Sequence, residues 1–252
     1  MKRRRLAVGI CLIVLMVVSI LGTRIQQAYQ HPPATEPVNN QTQALRVASV
    51  VDRGGVGTKH TLEISVVNVS DKAVVEYTFL KKDGSVLTTS GATTGWSLAP
   101  GESDVVKADL TPGESLTLTA LLFADGTGQG DAEEITRMKD YRAGVEEQYQ
   151  RALPILNQAK GVSAVVEASS VAAALRQQLA SLPVPPVGAG VSPGKSAGLH
   201  DAKQFIEVQV TRPQGRPDEK TVSLESLRLR VNQVLGHVEK SLTRFHGDSK
   251  TR

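Results

Sequence analysis

The chain has 252 residues, with 29 lysines and arginines against 25 aspartates and glutamates. Five of these bases and none of the acids lie in residues 1–24, so the rest of the chain holds 24 bases and 25 acids. A body this close to neutral argues against a nucleic-acid-binding surface, and the basic pI instead reflects the N-terminus.

The N-terminus has the order of an export sequence. Four cations, Lys2 to Arg5, precede an uncharged run from Leu6 to Thr23 that is rich in Leu, Ile and Val. This order is typical of a signal peptide or signal anchor, and the run is just long enough to span a bilayer core. The cations favour a cytoplasmic N-terminus. We therefore expect residues 6–23 to contact the membrane and the bulk of the chain to be extracytoplasmic.

Cleavage after this segment would make the protein secreted rather than anchored. The nearest match to a signal-peptidase site is Ile20-Leu21-Gly22, which is weak, so we favour an uncleaved anchor within residues 1–24. Cys11 is the only cysteine and lies inside the apolar run, so the exported part forms no intramolecular disulfide.

Residues 25–43 are polar and proline-containing, which predicts a flexible tether. Residues 44–125 then show about seven short segments of strand character, separated by turn residues at spacings near 8–12. Asp83-Gly84 is a hairpin-turn sequence between two of them. This pattern predicts an all-β sandwich, in which the single Trp96 is a core residue.

The order of motifs in this region resembles that of a known class of module. The motifs are the turn Asn68-Val69-Ser70, the segment Lys72-Ala73-Val74-Val75, Trp96, the turn Leu98-Ala99-Pro100-Gly101-Glu102-Ser103 and an alternating last strand. Residues 44–124 resemble the immunoglobulin-like and fibronectin-III-like modules of bacterial envelope proteins. The resemblance implies a binding or spacing module and carries over no catalytic residue.

Residues 131–182 have a helical period. Apolar residues recur at threes and fours from Ile135 to Leu156, and Asp131 with Glu134 resembles a capping box. Pro154 is expected to kink or end this helix. Residues 183–198 are rich in proline and glycine and are predicted to be a linker.

Residues 199–252 are predicted to be a C-terminal helical segment. Between residues 199 and 210 both a helical and a strand pattern fit, and we favour the helix. A heptad-like stripe follows, formed by Leu224, Leu227, Val231, Val234, Val238 and Phe245. Two interpretations stay open: the stripe packs on the chain's own neighbouring helices, or it is the docking face for a partner.

The motif search yields no catalytic, cofactor-binding or metal-binding residue. The stretch from Asp125 to Glu134 looks like a calcium loop, but Thr136 stands where an EF-hand needs glutamate. Its glycines favour instead a sharp turn into a helix. The five histidines form no zinc motif, and the sequence has neither a G-x-S-x-G elbow nor a P-loop.

The sequence thus predicts an α+β protein with an N-terminal membrane segment, an immunoglobulin-like sandwich and a helical C-terminal region. The expected function is that of a non-catalytic extracytoplasmic interaction or scaffold protein, held at the membrane and bound to another envelope protein. It would hold this partner by strand addition at the sandwich edges or by docking of the C-terminal helix. One alternative is a module for envelope polymers or carbohydrates, which exposed aromatics or a basic groove would favour. A second is an extracytoplasmic hydrolase, which convergent titratable side chains in a cleft would favour.

Overall fold

The computed structural model describes residues 38–55, 59–111, 113–162, 168–188, 190–211 and 223–247. Within them the chain forms eight strands in two sheets and four helices, a mixed α+β architecture. The strands are β1 (Val38–Asn40), β2 (Leu45–Asp52), β3 (His60–Asn68), β4 (Val74–Lys81), β5 (Val86–Ser90), β6 (Ser103–Leu110), β7 (Leu116–Phe123) and β8 (Gly128–Gly130). The helices are α1 (Ala132–Lys160), α2 (Ala168–Ala180), α3 (Pro193–Thr211) and α4 (Leu224–Gly247).

The predicted membrane segment, residues 6–23, lies outside the described residues. Among the helices that are described, none combines the length and the apolar character needed to cross a bilayer.

The two sheets pack against each other around one apolar core. The helix-facing sheet has the order β1-β7-β4-β5, with β8 also paired to β7, and the outer sheet has the order β2-β3-β6. Alternate residues of β3 and β6 meet alternate residues of β4 and β7 in this core. The central members are Leu62, Ile64, Val66, Val106, Ala108, Tyr77, Phe79, Leu116, Leu118 and Leu121. Each large apolar side chain buried in this way stabilises the fold by about 1.5–3 kcal/mol.

Local hydrogen bonds set the turns of the sandwich. Asn68 is fully buried, and its Nδ2 donates to the carbonyl oxygens of Lys72 and Leu98, at 2.8 Å each. At the predicted Asp83-Gly84 turn, Gly84 has a φ of 81° and the Asp83 carboxylate accepts from the Ser85 amide. A positive φ suits glycine, so this pair closes the β4–β5 hairpin.

The first described residues already belong to the sandwich. Val38–Asn40, inside the predicted tether 25–43, form β1, which pairs in parallel with β7. Val38 is buried, and Asn40 Nδ2 donates to the Leu45 carbonyl at 2.6 Å. A strand of three residues is too short to show a period of two, so composition alone assigns this segment to the tether.

Two β-bulges lie next to each other in the helix-facing sheet. The register between β4 and β7 shifts between Val74 and Glu76, and again between Thr78 and Phe79. Because a bulge inserts one extra residue, two consecutive side chains then point to the same side of the sheet. Val74 and Tyr77 stay in the sandwich core, while Val75 packs with Ala120, Leu122, Met138 and Ile135 on the helix-facing side.

Helix α1 begins where the glycine-rich turn ends. The Asp131 carboxylate accepts from the Glu134 amide at 2.9 Å, which is an N-cap. The Glu134 carboxylate binds Arg137 instead of returning to the cap, so only half of the capping box forms. The helix continues through Pro154 to Lys160. Ala152 and Leu156, on either side of the proline, are fully buried, and this packing maintains the helix despite the hydrogen bond that proline removes.

Helices α1 and α3 approach each other closely through glycines. A Cβ atom on Gly144 would lie 2.2 Å from the Lys195 carbonyl oxygen, and one on Gly198 would lie 2.0 Å from that of Tyr141. Helix α3 starts at Pro193, inside the predicted linker 183–198. Proline is compatible with this position, because it is tolerated in the first turn of a helix. The segment 199–210, for which two patterns competed, is helical.

Candidate functional site

A cleft of about 220 Å³ lies between the helix-facing sheet and helices α1 and α4. Its walls are mostly apolar and include Val75, Ala124, Trp96 and Phe245. Two cations, Arg142 from α1 and Arg244 from α4, also line it. We call this space the junction cleft, because both the sandwich and the helices contribute to it.

One wall of the cleft is a tight turn between β5 and β6, residues 91–96, which we call the junction loop. Gly95 has a φ of 71°, and its amide donates to the Gly91 carbonyl at 2.8 Å. A Cβ atom on Gly91 would lie 1.8 Å from the Trp96 carbonyl oxygen, so no larger residue fits there. Trp96 packs against Tyr77 in an edge arrangement, with ring centroids 5.7 Å apart.

The helices hold the junction loop through its backbone carbonyls. The Thr93 carbonyl accepts from His237 Nε2 at 2.7 Å and from the Tyr149 hydroxyl at 3.2 Å. The Arg244 guanidinium donates to the Gly95 carbonyl. Three helical side chains therefore fix two peptide groups of the sandwich.

The surroundings of His237 favour its neutral form. Burial lowers its pKa, the hydrogen bond to Thr93 opposes this shift, and the nearby cations Arg244 and Lys240 add to it. Because its Nε2 faces a carbonyl oxygen, Nε2 carries the proton. The ring also packs on Phe205, with centroids 4.8 Å apart.

The guanidinium of Arg142 lies above the ring of Phe245, at 5.2 Å from its centroid. Its Nη1 also donates to the Phe123 carbonyl at 3.4 Å. A cation held over an aromatic face and against a carbonyl keeps a fixed direction. Arg244, by contrast, is exposed at the cleft. The two side chains place positive charge on a pocket whose other lining residues are mostly apolar.

A buried carboxyl group lies on the same side of the sheet. Glu76 is 1% exposed, and its Oε2 accepts from Ser90 Oγ at 3.2 Å. Burial raises the pKa of Glu76 to about 7, although Ser90 and the charges of Arg137 and Arg142 oppose the shift. This carboxyl group therefore changes charge near neutral pH, inside the interface between sheet and helix.

The described residues do not support a metal site. Among them, no group of three or more His, Cys, Asp or Glu side chains is placed to hold an ion. In the loop that resembles a calcium site, Asp125 Oδ2 accepts from Lys72 Nζ at 2.7 Å and Asp131 caps α1. Although burial opposes it, contacts with Lys72 and Thr127 hold the pKa of Asp125 at about 2.

The predicted docking stripe of α4 faces the interior of the chain. Leu227, Val231, Val234 and Val238 are each less than 5% exposed and belong to one helical core with α1, α2 and α3. Leu224 and Phe245 are partly buried against the same core. The arrangement is the one in which this helix packs on its own neighbours.

Glu76, Arg142, His237 and Arg244 belong to none of the sequence motifs described above. One indication was present: Glu76 is the only charge in the apolar stretch from Ala73 to Leu80. The packing of α1 and α4 on the sandwich places His237 and Arg244 against the junction loop, and it places Arg142 against the Phe123 carbonyl and the Phe245 ring.

No protein-family profile matches the chain, and no curated protein or solved structure is significantly similar to it.

Proposed function

We propose that the chain is a membrane-tethered, extracytoplasmic interaction or scaffold protein without catalytic activity. Its N-terminal sequence supports the tether. The composition of the junction cleft supports the absence of catalysis, since none of its described lining residues is Asp, Glu, His or Cys. General acid–base and thiol chemistry draws mainly on those side chains.

The strand order supports an immunoglobulin-like assignment for the sandwich. In such domains, strands A, B and E share one sheet, and strands C, F and G share the other. Here β2, β3 and β6 correspond to the first group, and β4, β7 and β8 to the second. On this assignment β5 is the additional strand beside C.

The edges of the outer sheet are poorly suited to pairing with a strand from a partner. On β6, Lys81 Nζ donates to the Asp109 carbonyl at 2.9 Å, and the Asp104 carboxylate accepts from the Val105 amide at 2.8 Å. On β2, a bulge between Val47 and Ser49 interrupts the ladder. Side-chain caps and bulges are devices that protect sheet edges from pairing.

The outward face of the outer sheet is the surface that best fits a protein partner. Val51 on β2 and Val105 on β6 are 40% and 55% exposed and lie on either side of β3. Ser65 of the central strand β3 pairs with Ser49 and Val105, and Glu63 of the same strand pairs with Val51 and Lys107, so polar side chains lie between the two valines. Glu63, bound to Arg53 and Lys107, places charge in the middle of this face. A surface that mixes apolar and polar side chains has the composition of a non-obligate protein interface.

Crosslinking in native membranes, followed by capture of the full chain, tests this proposal. We expect one stoichiometric protein partner, and at least about tenfold less of it with Val51→Asp and Val105→Asp combined, because two carboxylates would then be buried without partners at the contact. The matched control is Val208→Asp, which charges an exposed valine on α3. Equal retention by the double variant and the wild type would refute the outer sheet as the docking face.

A ligand-binding module for an envelope polymer is the second candidate. The junction cleft favours it, because two aromatic side chains and two cations line one pocket. Binding of isolated envelope polymer by the full chain, with no protein partner captured, is the outcome that would select it.

A further inference from the structure

We propose that the junction cleft binds a small carboxylate that carries a compact apolar group. Two sources have this chemistry: a free organic acid and the C-terminal residue of a peptide. The inference rests on the cleft alone and does not depend on a protein partner at the outer sheet.

The volume of the cleft suits a ligand of this size. A cavity of about 150 Å³ lined by apolar side chains is large enough to hold benzene. At about 220 Å³, the junction cleft exceeds that volume by roughly the space of a carboxylate and a short linker. A longer segment of chain would have to extend outside.

The charges of the cleft select an anion. Arg142 and Arg244 come from different helices, and no described lining residue is acidic. Arg244 is exposed, and the contact that fixes it uses Nη1 with the Gly95 carbonyl. A guanidinium has five N–H donors in a planar fork that matches a carboxylate, so the remaining donors of Arg244 suit such a ligand. Arg142, which lies over the ring of Phe245, adds its positive charge from α1.

The walls of the cleft select an apolar group beside that charge. Trp96 and Phe245 supply aromatic surface, and Val75, Ala73 and Ala124 supply aliphatic surface. A ligand with several charges would leave some of them against these walls without solvation, which is unfavourable. A single carboxylate with an aromatic or branched aliphatic body satisfies both parts of the cleft.

Ligand binding can be followed by the fluorescence of Trp96, because it is the only tryptophan of the chain and it lines the cleft. The full chain in nanodiscs of zwitterionic lipid is titrated with 3-phenylpropionate and, separately, with N-acetyl-alanyl-phenylalanine. Trp96 fluorescence is recorded, and titration calorimetry detects binding that leaves fluorescence unchanged. We expect saturable binding of at least one acid, with the corresponding amides at least about tenfold weaker. Preference for the peptide identifies a C-terminus as the source, and preference for phenylpropionate identifies a free acid.

Two variants and a matched control keep the test decisive. Arg244→Gln should weaken acid binding about tenfold or more, while Lys240→Gln, which removes a charge from an exposed position on the same helix, should leave it within about twofold. Ser97→Phe fills the cleft from an exposed lining position and should abolish binding without touching the hydrogen bonds of the junction loop. Amides that bind as well as acids, normal binding by Ser97→Phe, or neither heat nor a fluorescence change with either acid would overturn the proposal.

Discussion

At the scale of single residues, Glu76 is the least expected side chain of the fold. The bulge in β4 keeps Val74 and Tyr77 in the sandwich and turns Glu76 toward α1. There it is almost fully buried beside Ser90 and within reach of the charges of Arg137 and Arg142. A buried carboxylate is costly unless fully compensated, which is why its protonated form is favoured up to about pH 7.

The raised pKa of Glu76 makes the free energy of unfolding decrease as the pH rises. With its pKa raised from 4.5 to about 7, Glu76 keeps a proton in the folded chain that the unfolded chain releases. Its contribution to the free energy of unfolding is therefore greatest below pH 4.5 and is lost as the pH rises through 7. Glu76→Gln should raise that free energy by about 3 kcal/mol at pH 8.5 and by less than about 1 kcal/mol at pH 5.

Chemical denaturation at the two pH values measures the effect. Glu239→Gln, at an exposed position of α4, is the control and should be neutral at both. A stabilisation by Glu76→Gln that is the same at pH 5 and pH 8.5 would contradict a carboxyl group that titrates between them.

At this scale, sequence predicted residues with local roles and missed residues with distant ones. The cap at Asp131 and the turn at Asp83-Gly84 follow from neighbours within three positions, and both form. Glu76 and His237 depend on a bulge and on a contact between distant elements. Neither feature leaves a pattern in a short window of sequence.

At the scale of elements, α4 shows how one apolar stripe fits two interpretations. The spacing from Leu224 to Phe245 predicts an amphipathic helix, but it is silent about which surface covers it. The structure places α1 and α3 over the stripe. The run through Pro154 in α1 is a similar case, since propensity predicts a break and burial of the flanking residues maintains the helix.

Substitution of the stripe should therefore act on folding. Val231 is 1% exposed, so Val231→Asp buries a carboxylate without a partner and should lower the free energy of unfolding by about 3 kcal/mol or more. Leu229→Asp, at a position 53% exposed on the same helix, should cost less than about 1 kcal/mol.

Thermal unfolding followed by circular dichroism compares the two variants. The loss should appear in the helical signal, because the apolar core of the sandwich contains no residue of α4. If Val231→Asp and Leu229→Asp had the same unfolding temperature, this face of α4 would lie outside the core.

At the scale of the whole molecule, the junction loop joins the sandwich to the helices. The Thr93 carbonyl accepts from both His237 and Tyr149, and Arg244 binds the next carbonyl but one. Composition and periodicity predicted a β region followed by a helical region. They carried no information about this attachment, because it uses backbone carbonyls that any residue possesses.

Removal of His237 should loosen the attachment in a pH-dependent way. Its pKa is lowered below 6.5, so its stabilising contribution is present above that pH and is lost as the pH falls. His237→Ala should speed amide hydrogen exchange at Gly91 and Gly95 by about tenfold at pH 7.5, since one hydrogen bond and ring packing are lost. The difference from wild type, corrected for intrinsic exchange, should shrink at pH 5.

His200→Ala serves as the control, because that imidazole is exposed on α3 and its side chain is 63% accessible. It should leave exchange in the junction loop unchanged. Wild-type exchange rates in His237→Ala at pH 7.5 would show that the contact with Thr93 does not hold the loop.

The large sequence separation across the junction determines when its contacts can form during synthesis. The hydrogen bond from His237 to Thr93 joins residues 144 positions apart, and that from Arg244 to Gly95 joins residues 149 apart. Ribosomes add residues at about 5–20 per second, and domains that are complete fold as units during synthesis. The last of the described strands ends at Gly130, so the sandwich can fold seconds before α4 exists. During that interval the junction loop has no helical partner, and the cleft beside it comes into being only with the last helix.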